Sequence, residues 1–263
     1  MTEPTTTRCS SYGQRQLSAA LDAEGHILLI GAQQLSEPAP IPSRLAALID
    51  HTLLKPEATE LQVRQLCAEA AQYHFGAVCV NSAWVPLCAR ELAGSDVKIA
   101  AVVGFPLGAM STAAKVAETQ DATQQGAREI DMVMAIGALK SGQLSEVAAD
   151  IREVAHAAHQ GDALLKVIIE ACLLSEEEKI DACLLSKLAG ADFVKTSTGF
   201  SSSGATVEDV ALMRAVVGPN LGVKAAGGIR SYADAKKMLA AGASRIGASA
   251  GIRILQEEAA AQS

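Results

Sequence analysis

Aromatic residues make up only 3% of this 263-residue chain. A core organised around large rings is therefore excluded, and whatever is buried must be built from Ala, Val, Ile and Leu. No run of 18 or more apolar residues occurs, so no membrane-spanning helix is predicted. The N-terminus, MTEPTTTRCSS, lacks the basic start and apolar stretch of a signal segment, which predicts a cytoplasmic protein. Positive charge is also in deficit. A net charge of −7 argues against a nucleic-acid surface. The cysteines at 9, 67, 79, 88, 172 and 183 show no CxxC spacing and read as reduced, mostly buried thiols. His156 and His159 lie three apart, but no acidic or cysteine ligand stands close by in sequence, so neither a metal site nor any other cofactor is expected.

What the chain does contain is a rhythm. Short β-branched runs recur at LAALIDHT (45 to 52), GAVCVN (76 to 81), KIAAVVG (98 to 104), EIDMVMAIG (129 to 137), LLKVIIEA (164 to 171), DFVKTS (192 to 197), LGVKAAGG (221 to 228) and SRIGAS (244 to 249). Between them lie Ala-rich segments of helical period. TELQVRQLCAEAAQYHFG, SEEEKIDACLLSKLAG and SYADAKKMLAAG open on Ser or Thr and close on Gly, as capped helices do. Eight strand–helix units predict an α/β fold of the (β/α)8 TIM-barrel type over residues 44–263, with the active site at the C-terminal ends of the strands. Residues 1–43 stand outside this rhythm, and Pro-punctuated SEPAPIPS (36 to 43) links them to the first strand. They are expected to be partly ordered or to cover the bottom of the barrel, with a short helix at RQLSAALDA.

Three charged residues interrupt apolar runs: Asp131 in EIDMV, Lys195 in DFVKTS and Lys224 in GVKAAGG. A lone lysine at a strand end is ordinarily an edge residue with its stem on apolar surface and its head in water. Three charges on predicted barrel strands call for another explanation, because none can face the packed helix layer without a partner. Pointing inward, they would share one cavity. Two neighbouring ammonium ions there would repel, so that one loses its proton and becomes a nucleophile of the Schiff-base kind. Asp131 would move protons, and on this reading leucine at position 224 costs activity and spares the fold. A structural ion-pair network is the competing explanation. Glycine-containing stretches after the last three strands, TSTGF, AAGGIR and IGASAG, would let backbone N–H groups approach an anion, and this fold commonly binds phosphate there.

The motifs IDHTLLKP (49 to 56), VCVN (78 to 81), VVGFPLG (102 to 108), EIDMV, LLKVIIE (164 to 170), FVKTSTGF (193 to 200), KAAGGIR (224 to 230) and RIGAS (245 to 249) together resemble, in order, those of the deoxyribose-phosphate aldolases, a class I aldolase family. The likeness covers about residues 45 to 256. It implies that Lys195 forms a Schiff base and that Asp131 and Lys224 handle protons or tune the nucleophile, with no cofactor. It further implies reversible cleavage of 2-deoxyribose 5-phosphate to acetaldehyde and glyceraldehyde 3-phosphate. Gly199, Gly227, Gly228, Gly247 and Ser249 would lie near the phosphate. Lys166 is similar to the family's additional buried lysine and is grouped with the substrate-binding residues, as are Asp50 and Thr52 at the first strand's end. Cys79 either lines the aldehyde site or is an inert buried thiol. The expected partners are a small-molecule sugar phosphate and, as an open alternative, further copies of the chain in a homo-oligomer. Neither nucleic acid nor membrane is expected.

Two departures stand out. VNSAWV replaces a proline-containing loop, and the chain ends EEAAAQS where some members carry a tyrosine that reaches the site. Another Schiff-base aldolase or transaldolase is the nearest alternative, and a non-enzymatic sugar-phosphate sensor is the alternative of a different class.

Overall fold

The computed structural model describes residues 7–12, 15–21, 27–34 and 45–262. Its first three strands, β1 (Thr7–Tyr12), β2 (Arg15–Leu21) and β3 (Ile27–Gln34), form an antiparallel sheet in the order β1-β2-β3. The segment expected as a helix at RQLSAALDA is thus strand over Arg15–Leu21. An isolated helix of that length is not self-sustaining, whereas strand pairing on both sides supplies its backbone with partners. SEPAPIPS lies outside the described residues.

The remaining strands are β4 (Ile49–Leu53), β5 (Ala77–Asn81), β6 (Lys98–Val103), β7 (Glu129–Val133), β8 (Leu164–Ile168), β9 (Phe193–Lys195), β10 (Gly222–Ala226) and β11 (Arg245–Ala248). They are parallel, pair in chain order and close where β11 meets β4. Helices occupy every crossover: α1 (Glu60–Tyr73), α2 (Val85–Glu91), α3 (Thr112–Gln124), α4 (Ile136–Lys140), α5 (Leu144–Gln160), α6 (Glu176–Leu188), α7 (Val207–Val217) and α8 (Tyr232–Ala240), with α9 (Gly251–Gln262) after the last strand. The predicted (β/α)8 barrel is the observed one. The β1 and β2 strands lie alongside α6 and α7.

Local chemistry sets the helix starts. Thr59, Ser175 and Ser231 each cap a helix and receive a reciprocal bond from Gln62, Glu178 or Asp234 three residues on, an arrangement worth about 1 kcal/mol per cap. The strands bury both faces. Ile130, Met132, Val167 and Val194 belong to the large apolar layer shared with the helices. Inside the barrel, Ala77, Cys79, Ala100 and Val102 form a separate small apolar cluster with Leu54, and Phe105 packs against it. This cluster lines the β5–β6 side of the bore. On the other strands, Asp50, Asp131, Lys166, Lys195 and Lys224 are buried as well.

Candidate active site

Strand register brings the charges together. Asp131 pairs in register with Lys166 across β7–β8, and Lys195 with Lys224 across β9–β10. Alternation then sends their side chains into the bore, where all four are buried. Asp131 is the hub. Its Oδ2 accepts from Lys195 Nζ at 2.8 Å and from Lys224 Nζ at 2.7 Å, and its Oδ1 accepts from Lys166 Nζ at 2.7 Å. Lys224 also donates to Asp50, and Lys166 to Glu129 at 2.5 Å. Arg245 closes the floor, donating to Asp50 Oδ1 at 2.7 Å and to both Glu129 oxygens at 3.1 and 3.2 Å.

Four basic side chains (Lys166, Lys195, Lys224, Arg245) therefore face three carboxylates (Asp50, Glu129, Asp131). Burial alone would push the Asp50 carboxyl up, but Lys224, Lys166 and Arg245 hold it far below the usual carboxylate range. The same contest leaves Asp131 well below its ordinary value, with burial overcome by Lys166, Lys195 and Lys224. Lys224 moves the other way. Burial disfavours its charge, yet Asp131 and Asp50 raise its pKa above the normal lysine range, and Lys166 is raised against burial by Asp131 and Glu129. The repulsion expected between the two neighbouring amines is answered here by a shared carboxylate, since Asp131 Oδ2 accepts from both Lys195 and Lys224.

A pH dependence follows. Asp50 and Asp131 titrate near pH 3.9 when unfolded and lower when folded, so the stability they contribute is present above about pH 4 and is lost as pH falls towards the folded values. The thermal midpoint should drop between about pH 5 and pH 3, and more shallowly in Asp50→Asn. A midpoint independent of pH across that range would contradict this account.

The other expected residues are placed as follows. Asp50 is fully buried, and its carboxylate is taken up by Lys224 and Arg245 as part of the charge network. Lys166 is likewise buried, with its amine on Asp131 Oδ1. Thr52 spends its hydroxyl proton on its own strand, donating to the Asp50 carbonyl at 2.8 Å. Cys79 lies in the bore with Sγ 3.9 Å from Asp131 Oδ2, and burial pushes its thiol up. His159 turns to Asp192 at 2.9 Å, on the outside.

The glycines divide into two kinds. Gly199, Gly227 and Gly228 have φ of 86°, 87° and 81°, the left-handed region that glycine enters at little cost. They follow β9 and β10 directly, and a Cβ on Gly227 would lie 3.7 Å from Gly199 Cα, so the two turns are neighbours. Ser249 is exposed just past β11. Among the described residues, the amides of these four residues have no protein acceptor. Gly247 differs. It is buried within β11, and a Cβ there would sit 3.1 Å from Lys224 Cε, so its smallness makes room for that lysine.

Glu129, Arg245 and Ser197 were not singled out from the sequence. Glu129 stands two residues before Asp131 on the same strand, and that period-two signal was available. Ser197 follows Lys195 by two, and its buried Oγ has no partner among the described residues. At the mouth, Phe105 and Phe200 meet edge to face, with centroids 5.2 Å apart.

A closed parallel eight-stranded barrel, with a buried lysine–carboxylate cluster in its bore and glycine turns past β9 and β10, is the architecture of a (β/α)8 barrel enzyme. The description "DeoC/LacD family aldolase" matches residues 44–257. A deoxyribose-phosphate aldolase of Bacillus mycoides is 59% identical over 215 residues, 82% of this chain and 96% of the relative. One of Streptococcus gordonii is 58% identical over 217 residues, 82% of this chain and 98% of the relative. The tetrameric deoxyribose phosphate aldolase of Aeropyrum pernix superposes with a TM-score of 0.77 at 34% identity, covering 82% of this chain and 92% of that one. The chain belongs to the DeoC/LacD aldolase family, and it is an enzyme of the lyase class.

Proposed function

We propose that the enzyme reversibly cleaves 2-deoxy-D-ribose 5-phosphate to D-glyceraldehyde 3-phosphate and acetaldehyde through a Schiff base on Lys195. The observation that carries this reading is that Lys195 and Lys224 share one oxygen of Asp131 at the top of a buried charge network. Among the described residues, Lys195 is the lysine of this cluster whose amine meets a single carboxylate, Asp131, whereas Lys166 and Lys224 each bridge two or more. Lys195 Nζ then adds to the C1 aldehyde, and loss of water from the carbinolamine gives an iminium. The C3 hydroxyl proton is removed as the C2–C3 bond breaks, and the bonding electrons flow into the iminium to leave an enamine. Protonation at C2 and hydrolysis release acetaldehyde and restore Lys195.

Asp131 touches both amines and is the group placed to pass these protons, with Lys224 as the donor behind it. The turns after β9, β10 and β11 would take the 5-phosphate on the amides of Gly199, Gly227, Gly228 and Ser249, and the unpartnered Ser197 hydroxyl lies beside the first of these turns. The apolar wall of Ala77, Cys79, Ala100 and Val102 suits the two-carbon fragment. No helix among the described residues is long and apolar enough to cross a membrane, and the reading is of a cytoplasmic enzyme. The tetramer known for the Aeropyrum pernix relative favours a homo-oligomer here as well.

The test is turnover of 2-deoxyribose 5-phosphate against 2-deoxyribose, with both aldehydes quantified. The phosphorylated sugar should be cleaved with the higher kcat/KM, and no cleavage of either would sink the proposal. EDTA should leave the rate unchanged, since the iminium supplies the electron withdrawal a metal would provide. Activity lost on chelation and restored by zinc would overturn the Schiff-base mechanism.

A further inference from the structure

Glu170 takes no part in the chemistry above, yet it is built into the site in an unusual way. It follows β8 with backbone φ 52° and ψ 61°, a left-handed conformation that L side chains seldom adopt, and it is only 2% exposed. Its carboxylate crosses to the loop after β9. Oε1 accepts from Thr198 N at 3.2 Å, and Oε2 accepts from Thr198 Oγ1 at 2.5 Å. The Thr198 hydroxyl in turn accepts from Phe200 N at 3.0 Å. Carboxylate and hydroxyl thus occupy the amides on either side of Gly199, while the Gly199 amide has no acceptor among the described residues. The backbone beside Glu170 grips the same loop, with Ala171 N donating to Thr196 O at 2.8 Å and Ile169 N to Lys195 O at 3.0 Å.

We propose that Glu170 is the positioning residue of the phosphate loop, clamping Thr198 so that the Gly199 N–H is presented to the 5-phosphate of the substrate. The inference rests on the function proposed above. A carboxylate suits the task because both of its oxygens accept, and both groups offered by Thr198 are donors. Glutamine keeps one acceptor for the Thr198 amide but turns an N–H donor towards the hydroxyl, so the charge-assisted bond from Thr198 Oγ1 to a carboxylate oxygen is lost. The clamp therefore loosens under a change of nearly constant size.

The experiment measures kcat/KM for 2-deoxyribose 5-phosphate and for 2-deoxyribose in wild type, Glu170→Gln, Thr198→Val and the double variant. Borohydride trapping of acetaldehyde on Lys195, which involves no phosphate, reports whether the barrel centre is intact. The expected result is that the preference for the phosphorylated sugar falls about tenfold or more in each single variant, mainly through KM. The double variant should be little worse than either single, as members of one relay behave. A folded, trapping-competent Glu170→Gln with undiminished preference would overturn the proposal. If Glu170→Gln does not fold, Thr198→Val decides the matter by the same ratio. A wild-type enzyme that cleaves both sugars equally would instead count against the substrate reading itself.

Discussion

Lys195→Met should lower kcat/KM by about four orders of magnitude or more, as loss of a covalent nucleophile does, while leaving the protein folded. The fold survives because Asp131 retains Lys166 and Lys224 as partners, so no buried carboxylate is left without a cation. The wild-type enzyme, treated with borohydride during turnover, should carry a reduced two-carbon adduct on the peptide containing Lys195, and the Met variant none. An adduct mapped to Lys224 or Lys166 would transfer the role of nucleophile to that residue.

Lys224→Leu should be costly in two ways. Its amine joins Asp50 to Asp131, so removal strips a cation from two buried carboxylates at once. Breaking such a pair costs about 3–5 kcal/mol, and the thermal midpoint of a domain this size should fall by roughly 6–20 °C. Activity should also drop by orders of magnitude, since the donor behind Asp131 is gone. Raising the pH separates two explanations. If Lys224 acted only by repelling a proton from Lys195, alkaline buffer would restore the rate. Its charge is instead already answered by Asp50 and Asp131, so kcat/KM should remain low from pH 7 to about pH 10. Near wild-type kcat/KM at pH 7 would remove Lys224 from the chemistry altogether.

The barrel was legible because each of its strands is a short apolar run bounded by Gly- or Ser-marked turns, and burial on both faces leaves little else for such a run to be. Asp131, Lys195 and Lys224 were legible for the complementary reason: a charge inside such a run needs a partner across the bore. The identity of those partners was not. Asp50 and Arg245 meet only because β11 closes on β4 across nearly two hundred residues of chain, and nothing local encodes that register. Glu170 escaped notice because its role depends on a left-handed backbone at a non-glycine position, which residue type argues against. The β2 strand was misread because a seven-residue segment with alternating small residues fits either period, and its pairing partners decide.

The interlocking of four basic side chains with three carboxylates also constrains how this interior can change over generations or in a mutant library. Any one substitution that neutralises Glu129, Asp50 or Lys166 leaves a buried opposite charge with one partner fewer, so most single steps lead downhill in both folding and turnover. Viable routes to a different interior are concerted ones, such as exchanging Glu129 and Lys166 together for two apolar residues of matching volume. Diversification of the bore should therefore proceed by jumps of two positions, whereas the apolar wall at Ala77, Cys79, Ala100 and Val102 is free to drift one residue at a time.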